Sequence, residues 1–349
     1  MGIKGLNSVI KKHAPGVMKD IHISDLSFKK VAIDTSLFLY KYKAIFKDRW
    51  ITCFIQLVSC LRKHDVHCVF VFDGKSPVEK DKEKEQRRAS REKLEEKYKI
   101  LEEKLNLCKL TGEIAPELLE VQEKYSIGVQ NRLLGGFKKI NVRIIEEHIE
   151  KLKSQVISVN KNDIQLIKNF LDIVAVPYIQ SETEGETLCS YMCRWGIVDA
   201  VMTDDTDVLV YGTPLFIFDI NSSDGSCKCI EYNELLETIE FTEETFRDLC
   251  IMCGCDYNTN IPKVGQETAF KLMKEYLSID NLPEKYDKTV LNHVRVRELF
   301  TIPEKQDIKI GYCGIPDKIK FYQFMYENNV RLDYELVFKN FYREISFDD

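Results

Sequence analysis

The stretch SETEGETLCSYMCRWGIVDAVMTDDTDVLVY, residues 181–211, gathers its acids around one short apolar run. Glu182, Glu184 and Glu186 precede the run, Asp199 opens it, and Asp204, Asp205 and Asp207 follow it directly. An apolar run such as DAVMT (199–203) reads as a strand buried on both faces, and acids placed just beyond it lie where a parallel strand ends. Open α/β sheets bind their ligands at that edge. Ionised carboxylates crowded at one point repel one another and require either protons or a cation, so the pattern points to a metal site.

Other segments repeat the arrangement. KKVAIDTSLFLY (29–40) is a β-branched run ending in Asp34 and continuing as a helix. A helical face of Ile51, Phe54, Ile55, Val58 and Leu61 leads to VHCVFVFDG (66–74), a second strand ending in Asp73. VPYI (176–179), LFIFDI (215–220) and CKCIEY (227–232) supply further strands. One strand-terminal aspartate is ordinarily a helix N-cap. Three such ends (Asp34, Asp73 and the group at 204–207) on one sheet edge call for a site. Alternating strands and helices predict an α/β fold with a mostly parallel central sheet flanked by helices, whose right-handed crossovers bring those ends to one side.

The length of 349 residues, with 44% hydrophobic and 30% charged residues, suits a soluble protein with one large domain and an appendage. A net charge of −6 does not exclude nucleic acid, because a carboxylate cluster concentrates acid locally. No apolar run approaches a membrane span, and MGIKGLNSVIKK has no signal-peptide core; the expectation is an intracellular protein, in the nucleus or at a viral replication site. Gly2 is followed by Leu6 where a myristoylation motif has Ser or Thr. The 12 cysteines include Cys227 and Cys229 and the run Cys250, Cys253, Cys255, whose spacing fits no standard zinc pattern; they read as small core residues.

From residue 75 to 104 the composition turns strongly charged. A solvated helix laced with pairs such as Glu83 with Arg87 and Glu95 with Lys99 would account for it. Yet Lys80, Lys84, Arg87 and Arg91 recur at spacings of four, three and four, which places four cations on one helical face leaving the same loop as Asp73. A phosphate backbone approaching the acids would be clamped there. Residues 105–163 hold helix-like segments at 116–125 and 142–156, with turn signals at Gly112, Gly128, Gly135 and Gly136, and read as a helical appendage above the sheet edge. FTEETFRDLCIMCGCDY (241–257) reads as a helix capped at Thr242, ending near Gly254 and delivering Asp256. In IPKVGQETAFKLMKEYL (261–277), Pro262 and Gly265 shape a turn before a helix whose N-terminal N–H groups could hold a backbone phosphate. The expected organisation is 1–74 and 164–257 as two parts of one core, 75–163 as an arch or cap, and 258–349 as a C-terminal helical region.

Ordered blocks along nearly the whole chain (MGIKGL, VAIDTSLFLY, VFVFDGKSP, ETEGETLC, TDDTDVLVYG, LCIMCGCDY and PKVGQETA) give it a resemblance to the flap endonuclease family, 5′ structure-specific nucleases of the XPG-like, PIN-like superfamily. The resemblance implies a PIN-like core, a helical arch and a C-terminal helix–two-turn–helix. It places metal carboxylates at Asp34, Asp73, Glu184, Glu186, Asp205, Asp207 and Asp256, and leaves Glu182 and Asp204 as neighbours. It makes Lys80 and Arg87 the basic residues at the arch base, Tyr40 the aromatic on which a base stacks, and Gly2 a residue near the substrate junction. Lys84, Arg91, Lys263 and Gly265 complete the expected DNA contacts. Seven hard oxygen donors without histidine suit two Mg²⁺ ions, with Mn²⁺ as substitute, and the family adds K⁺ at the helix–two-turn–helix. Asp34, Asp73, Glu184 and Glu186 are assigned to one ion, and Asp205, Asp207 and Asp256 to the other.

The chain departs from the family in three places. The stretch between Asp73 and Glu184 is long, so the cap is expected to be built differently. The C-terminal residues lack the family's sliding-clamp motif and lysine-rich tail, so the expected partner is DNA with a 5′ flap or junction, met by a monomer without membrane attachment. GCDY stands where the family has GSDY. So compact a chain also suits a homologue from a large DNA virus. The implied activity is Mg²⁺-dependent phosphodiester hydrolysis at flaps or single-strand/double-strand junctions in DNA replication, repair or recombination, with 5′ exonuclease or gap and bubble cleavage left open. Asp-x-Asp after a strand also allows an aspartate-nucleophile phosphatase, and an inactive DNA-binding scaffold is the non-enzymatic alternative.

Overall fold

In the computed structural model, α1 (Leu6–His13) and the edge strand β1 (Lys19–His22) are followed by β2 (Lys30–Asp34), α2 (Thr35–Phe46), α3 (Trp50–Lys63) and β3 (His67–Phe72). An insertion of α4 (Asp81–Thr111), α5 (Pro116–Tyr125) and α6 (Val142–Gln155) precedes α7 (Lys161–Ile173) and β4 (Tyr178–Gln180). The chain continues through α8 (Gly185–Arg194), β5 (Ala200–Met202), the short α9 (Asp207–Val210), β6 (Leu215–Phe218) and β7 (Ser226–Glu231). Among the described residues six helices follow: α10 (Tyr232–Ile239), α11 (Glu243–Cys253), α12 (Gln266–Tyr276), α13 (His293–Leu299), α14 (Lys318–Glu327) and α15 (Tyr334–Phe341). The structure describes residues 2–125 and 140–342, so the expected turns at Gly128, Gly135 and Gly136 lie outside the described residues.

The seven strands form one sheet in the order β1-β7-β6-β5-β2-β3-β4. Strands β2 to β6 run parallel, whereas β7 is antiparallel to β6 and β1 to β7. Strict alternation assigns side chains to two cores. Ala32, Val69, Val71 and Val201 face a layer containing α1, α8 and α10 to α13. Val31, Ile33, Phe70, Phe72 and Met202 face α2, α3, α7, α14 and α15. Cys250, Cys253 and Cys255 lie in the first core and Cys227 and Cys229 in the second, so the sheet separates the two cysteine groups and each packs as a small apolar residue.

Among the described residues the insertion is a cap of three helices with a small core of its own. The first turns of α4 are exposed; its buried residues are Leu101 and Leu105, which meet Leu118 and Val121 of α5 and Ile145, Ile149 and Leu152 of α6. The cap returns beside α2, where Lys43 Nζ lies 2.6 Å from Asp163 and 3.0 Å from the Ser158 carbonyl, and Lys47 pairs with Glu150. No described helix is long and apolar enough to cross a membrane.

Candidate metal-carboxylate site

Parallel strands deliver their acids to one edge. Asp34 ends β2 and is both an N-cap and part of the site: its Oδ1 accepts from the Leu37 N–H at 3.4 Å and its Oδ2 from Thr203 Oγ1 at 2.9 Å. Beyond β5, Thr203 accepts from the Asp205 N–H (3.1 Å), and Asp205 Oδ1 from the Asp207 N–H (3.0 Å). Asp73 follows β3 and accepts from the N–H of Gly185 at 2.7 Å, fixing it beside Glu184 and Glu186 at the start of α8. A side chain at Gly185 would collide with that Asp73 oxygen, so the glycine permits the approach. Asp256 enters from the loop after α11.

Lys80 joins these groups. Its Nζ lies 2.5 Å from Glu184, 3.2 Å from Asp256 and 3.8 Å from Glu186. Arg87, two turns along α4, reaches Asp256 with Nη2 at 3.1 Å and also pairs with Glu83. The expected face of four cations is therefore split. Lys80 belongs to a 3-10 turn (Val78–Lys80) and is drawn into the acids, whereas Lys84 is exposed and Arg91 half-buried farther along the helix. Lys80 stands where that turn runs into α4, and it and Arg87 both reach Asp256.

Burial and mutual repulsion govern the protons. Burial, then Asp73 and Asp205, push the Asp34 carboxyl up to about 7. Burial raises Glu186 with Glu184 adding to it, raises Asp207 with Asp205 and Asp256 adding to it, and raises Asp205 against the opposing hydrogen bond from Asp207. Burial alone would lower Lys80, but Glu186 and Glu184 outweigh it and hold the ammonium charged. Asp207 Oδ1 is buried and finds no hydrogen-bond partner among the described residues. An acid crowd relieved by protons, one ammonium and an unpartnered oxygen fits hard divalent cations in donor chemistry. As the side chains stand, no group of three or more His, Cys, Asp or Glu among the described residues has a geometry that could hold an ion; the Lys80 ammonium lies among them instead.

Gly2 has φ 88°, and a side chain there would meet Asp205, Thr206 and Asp207, so the N-terminal segment is pressed onto the acids. Ile3 N–H donates to Thr206 Oγ1 at 3.1 Å and Lys4 N–H to the Gly254 carbonyl at 2.9 Å, which hold it there. Tyr40 is 41% exposed on α2, available for stacking. Lys263 (φ 64°) and Gly265 are exposed in the turn before α12, apart from the carboxylates in sequence but joined to α1 through Lys12 and His13, whose Nζ and Nε2 lie 2.5 and 3.3 Å from Glu267. Glu182 is exposed, and Asp204 pairs with Lys41 at 2.5 Å and accepts from the Asp219 N–H at 2.8 Å, consistent with neighbours. Sequence reasoning missed Tyr257, which is buried, donates from its hydroxyl to Glu184 Oε2 at 2.5 Å and stacks edge-on against Phe300. Its signal was its place directly after Asp256. Thr203, whose hydroxyl links Asp34 to Asp205, was missed because a threonine ending a strand looks like packing.

Residues 1–94 match the XPG N-terminal domain and residues 175–256 the XPG I-region. The chain is 34% identical to a protein of Invertebrate iridescent virus 3 named "Probable RAD2-like endonuclease", over 95% of this chain and 92% of that one. It is 28% identical to flap endonuclease 1 of Candida dubliniensis, over 87% and 78%. The solved catalytic core of Rad2 in complex with DNA substrate superposes with a TM-score of 0.66 at 17% identity, covering 97% of this chain and 99% of that one.

Proposed function

This chain belongs to the XPG family of RAD2-like endonucleases, and we propose that it cuts DNA at 5′ flaps or single-strand/double-strand junctions with two Mg²⁺ ions held by Asp34, Asp73, Glu184, Glu186, Asp205, Asp207 and Asp256. The observation that carries this reading is the convergence of those acids on one sheet edge with the Lys80 ammonium among them. When bound, the ions supply a water nucleophile and neutralise charge on the leaving oxygen.

The protein's own groups do the rest. Asp34, Asp73, Glu184 and Glu186 would hold one ion, and Asp205, Asp207 and Asp256 the other. Tyr257 and Thr203 orient Glu184 and Asp34 by donating to them. Lys80, with Arg87 beside it, would offer its charge to the transferred phosphate. Tyr40 stacks a base next to the cut, and Gly2, whose lack of a side chain permits its close approach to Asp205 and Asp207, lies near the substrate junction. The turn bearing Lys263 and Gly265 holds duplex phosphates and is where K⁺ would act, while Lys84 and Arg91 guide a single strand along the cap. An aspartate-nucleophile phosphatase would use one acid pair and leave the rest without a role, and an inactive scaffold would not need Lys80 within this cluster.

A panel of end-labelled flap, nicked, blunt and bubble duplexes tests the reading. Junction cleavage in Mg²⁺ that EDTA abolishes is the expected result; phosphomonoester hydrolysis without DNA cleavage would overturn it.

A further inference from the structure

Between Lys75 and Lys80 the chain crosses from the sheet edge to the cap. At its start the Gly74 and Lys75 N–H groups donate to the carbonyls of Thr183 and Glu182 at 2.6 and 3.0 Å. At its end stands Lys80, buried among the acids. In between, Glu79 Oε1 accepts from Arg295 Nε at 2.7 Å, although Val78 beside it is 76% exposed and gives the turn little apolar anchorage. Arg295 is held in turn by Glu298, its Nη1 2.8 Å from Oε2.

The helix carrying Arg295 is a firm support. Arg297, also on α13, donates to both oxygens of the buried Asp248 on α11 at 2.7 and 2.6 Å and to Asp280 at 2.8 Å. Val296 and Phe300 are fully buried, and the Phe300 ring meets Tyr211 and Tyr257 at 5.2 and 5.4 Å between centroids. Tyr257 donates to Glu184, which Lys80 also contacts. Thus α13 touches the site by two routes, through Phe300 and Tyr257 from below and through Glu79 from the cap side.

We propose that Arg295 and Glu79 are positioning residues for the reaction: their ion pair fixes the 3-10 turn against α13 and thereby sets where the catalytic Lys80 ammonium stands among the carboxylates. A half-exposed pair is a weak source of global stability. Its effect is local, because an ammonium displaced by about 1 Å loses much of its preorganised electrostatic contribution. The proposal rests on the endonuclease reading for Lys80's role, but not for the tie itself.

The test combines two measurements on the full chain. In single-turnover cleavage of a flap duplex, Arg295→Gln is expected to slow the reaction about tenfold, Arg295→Lys to recover most of the rate, and Arg295→Gln to cause no further loss in a Lys80→Ala background. In metal-free protein, amide hydrogen exchange over residues 78–84 should accelerate in Arg295→Gln while exchange in α11 stays unchanged. An equal fractional loss in both backgrounds, or unchanged exchange over 78–84, overturns the proposal. Wild-type protein that leaves every duplex uncut while the exchange response appears would remove the endonuclease reading and keep the tie.

Discussion

The carboxylate site and the cap are both dense in charge, yet they hold it in opposite ways. In the site, Asp34, Glu184, Glu186, Asp205 and Asp207 are buried, and hydroxyls, backbone N–H groups and Lys80 determine where their oxygens point. In the cap, charges such as Arg88 with Glu92 and Arg143 with Glu147 are exposed neighbours on one helix. Buried charge is costly and must be placed; exposed pairs contribute little and tolerate change. Substitution is therefore expected to be severe among the buried acids and mild on the exposed face of the cap.

Removing a site acid is the strongest way to break that comparison. Asp205→Ala or Asp73→Ala should abolish cleavage in single-turnover assays while fluorescence anisotropy shows DNA binding largely retained; lost binding with retained cleavage would contradict the metal assignment. Lys80→Ala should lower turnover by about 100-fold with an unchanged circular dichroism spectrum, and Arg87→Ala, which is more exposed, by less.

The cap's own core gives the next effect. Leu118→Ala, at a fully buried position, should cost about 3 kcal/mol locally, read as faster hydrogen exchange in α4 to α6 with the sheet unaffected. The pH response sharpens the contrast further. Asp34, raised to about 7, binds its proton more tightly folded than unfolded, so it adds stability below its ordinary value that is lost as pH rises through 7. Metal-free protein should accordingly melt lower at pH 8 than at pH 6, Mg²⁺ should restore more at pH 8, and Asp34→Asn should flatten the profile. The smallest effect is expected at the exposed pair of Lys47 and Glu150, where Lys47→Ala should shift stability by under about 1 kcal/mol in urea melts.

Much of this was legible in the chain. Continuous apolar runs ending in Asp34, Asp73 and the 204–207 group foretold a parallel edge lined with acids, and capping chemistry placed α11 from Thr242 to Gly254. Pro116–Tyr125 emerged as read. The edge strand β1 escaped notice because KDIH, with Asp20 exposed and the other three half-buried, carries no periodic signal and pairs only with distant β7. Spacing put Lys80, Lys84, Arg87 and Arg91 on one stripe, but that Lys80 and Arg87 reach Asp256 depends on the fold, which spacing does not record.

The sequence by itself determined where acids follow apolar strands, the succession of strand, acid and helix, and the basic run that adjoins them, because residue type and short-range period are local properties. Only the tertiary structure decided that Lys80 stands between Glu184 and Asp256, that Tyr257 and Thr203 aim the oxygens, and that Glu79 ties the cap's first turn to Arg295, more than two hundred residues away. Such contacts depend on how the sheet folds back on itself, and no local pattern records them.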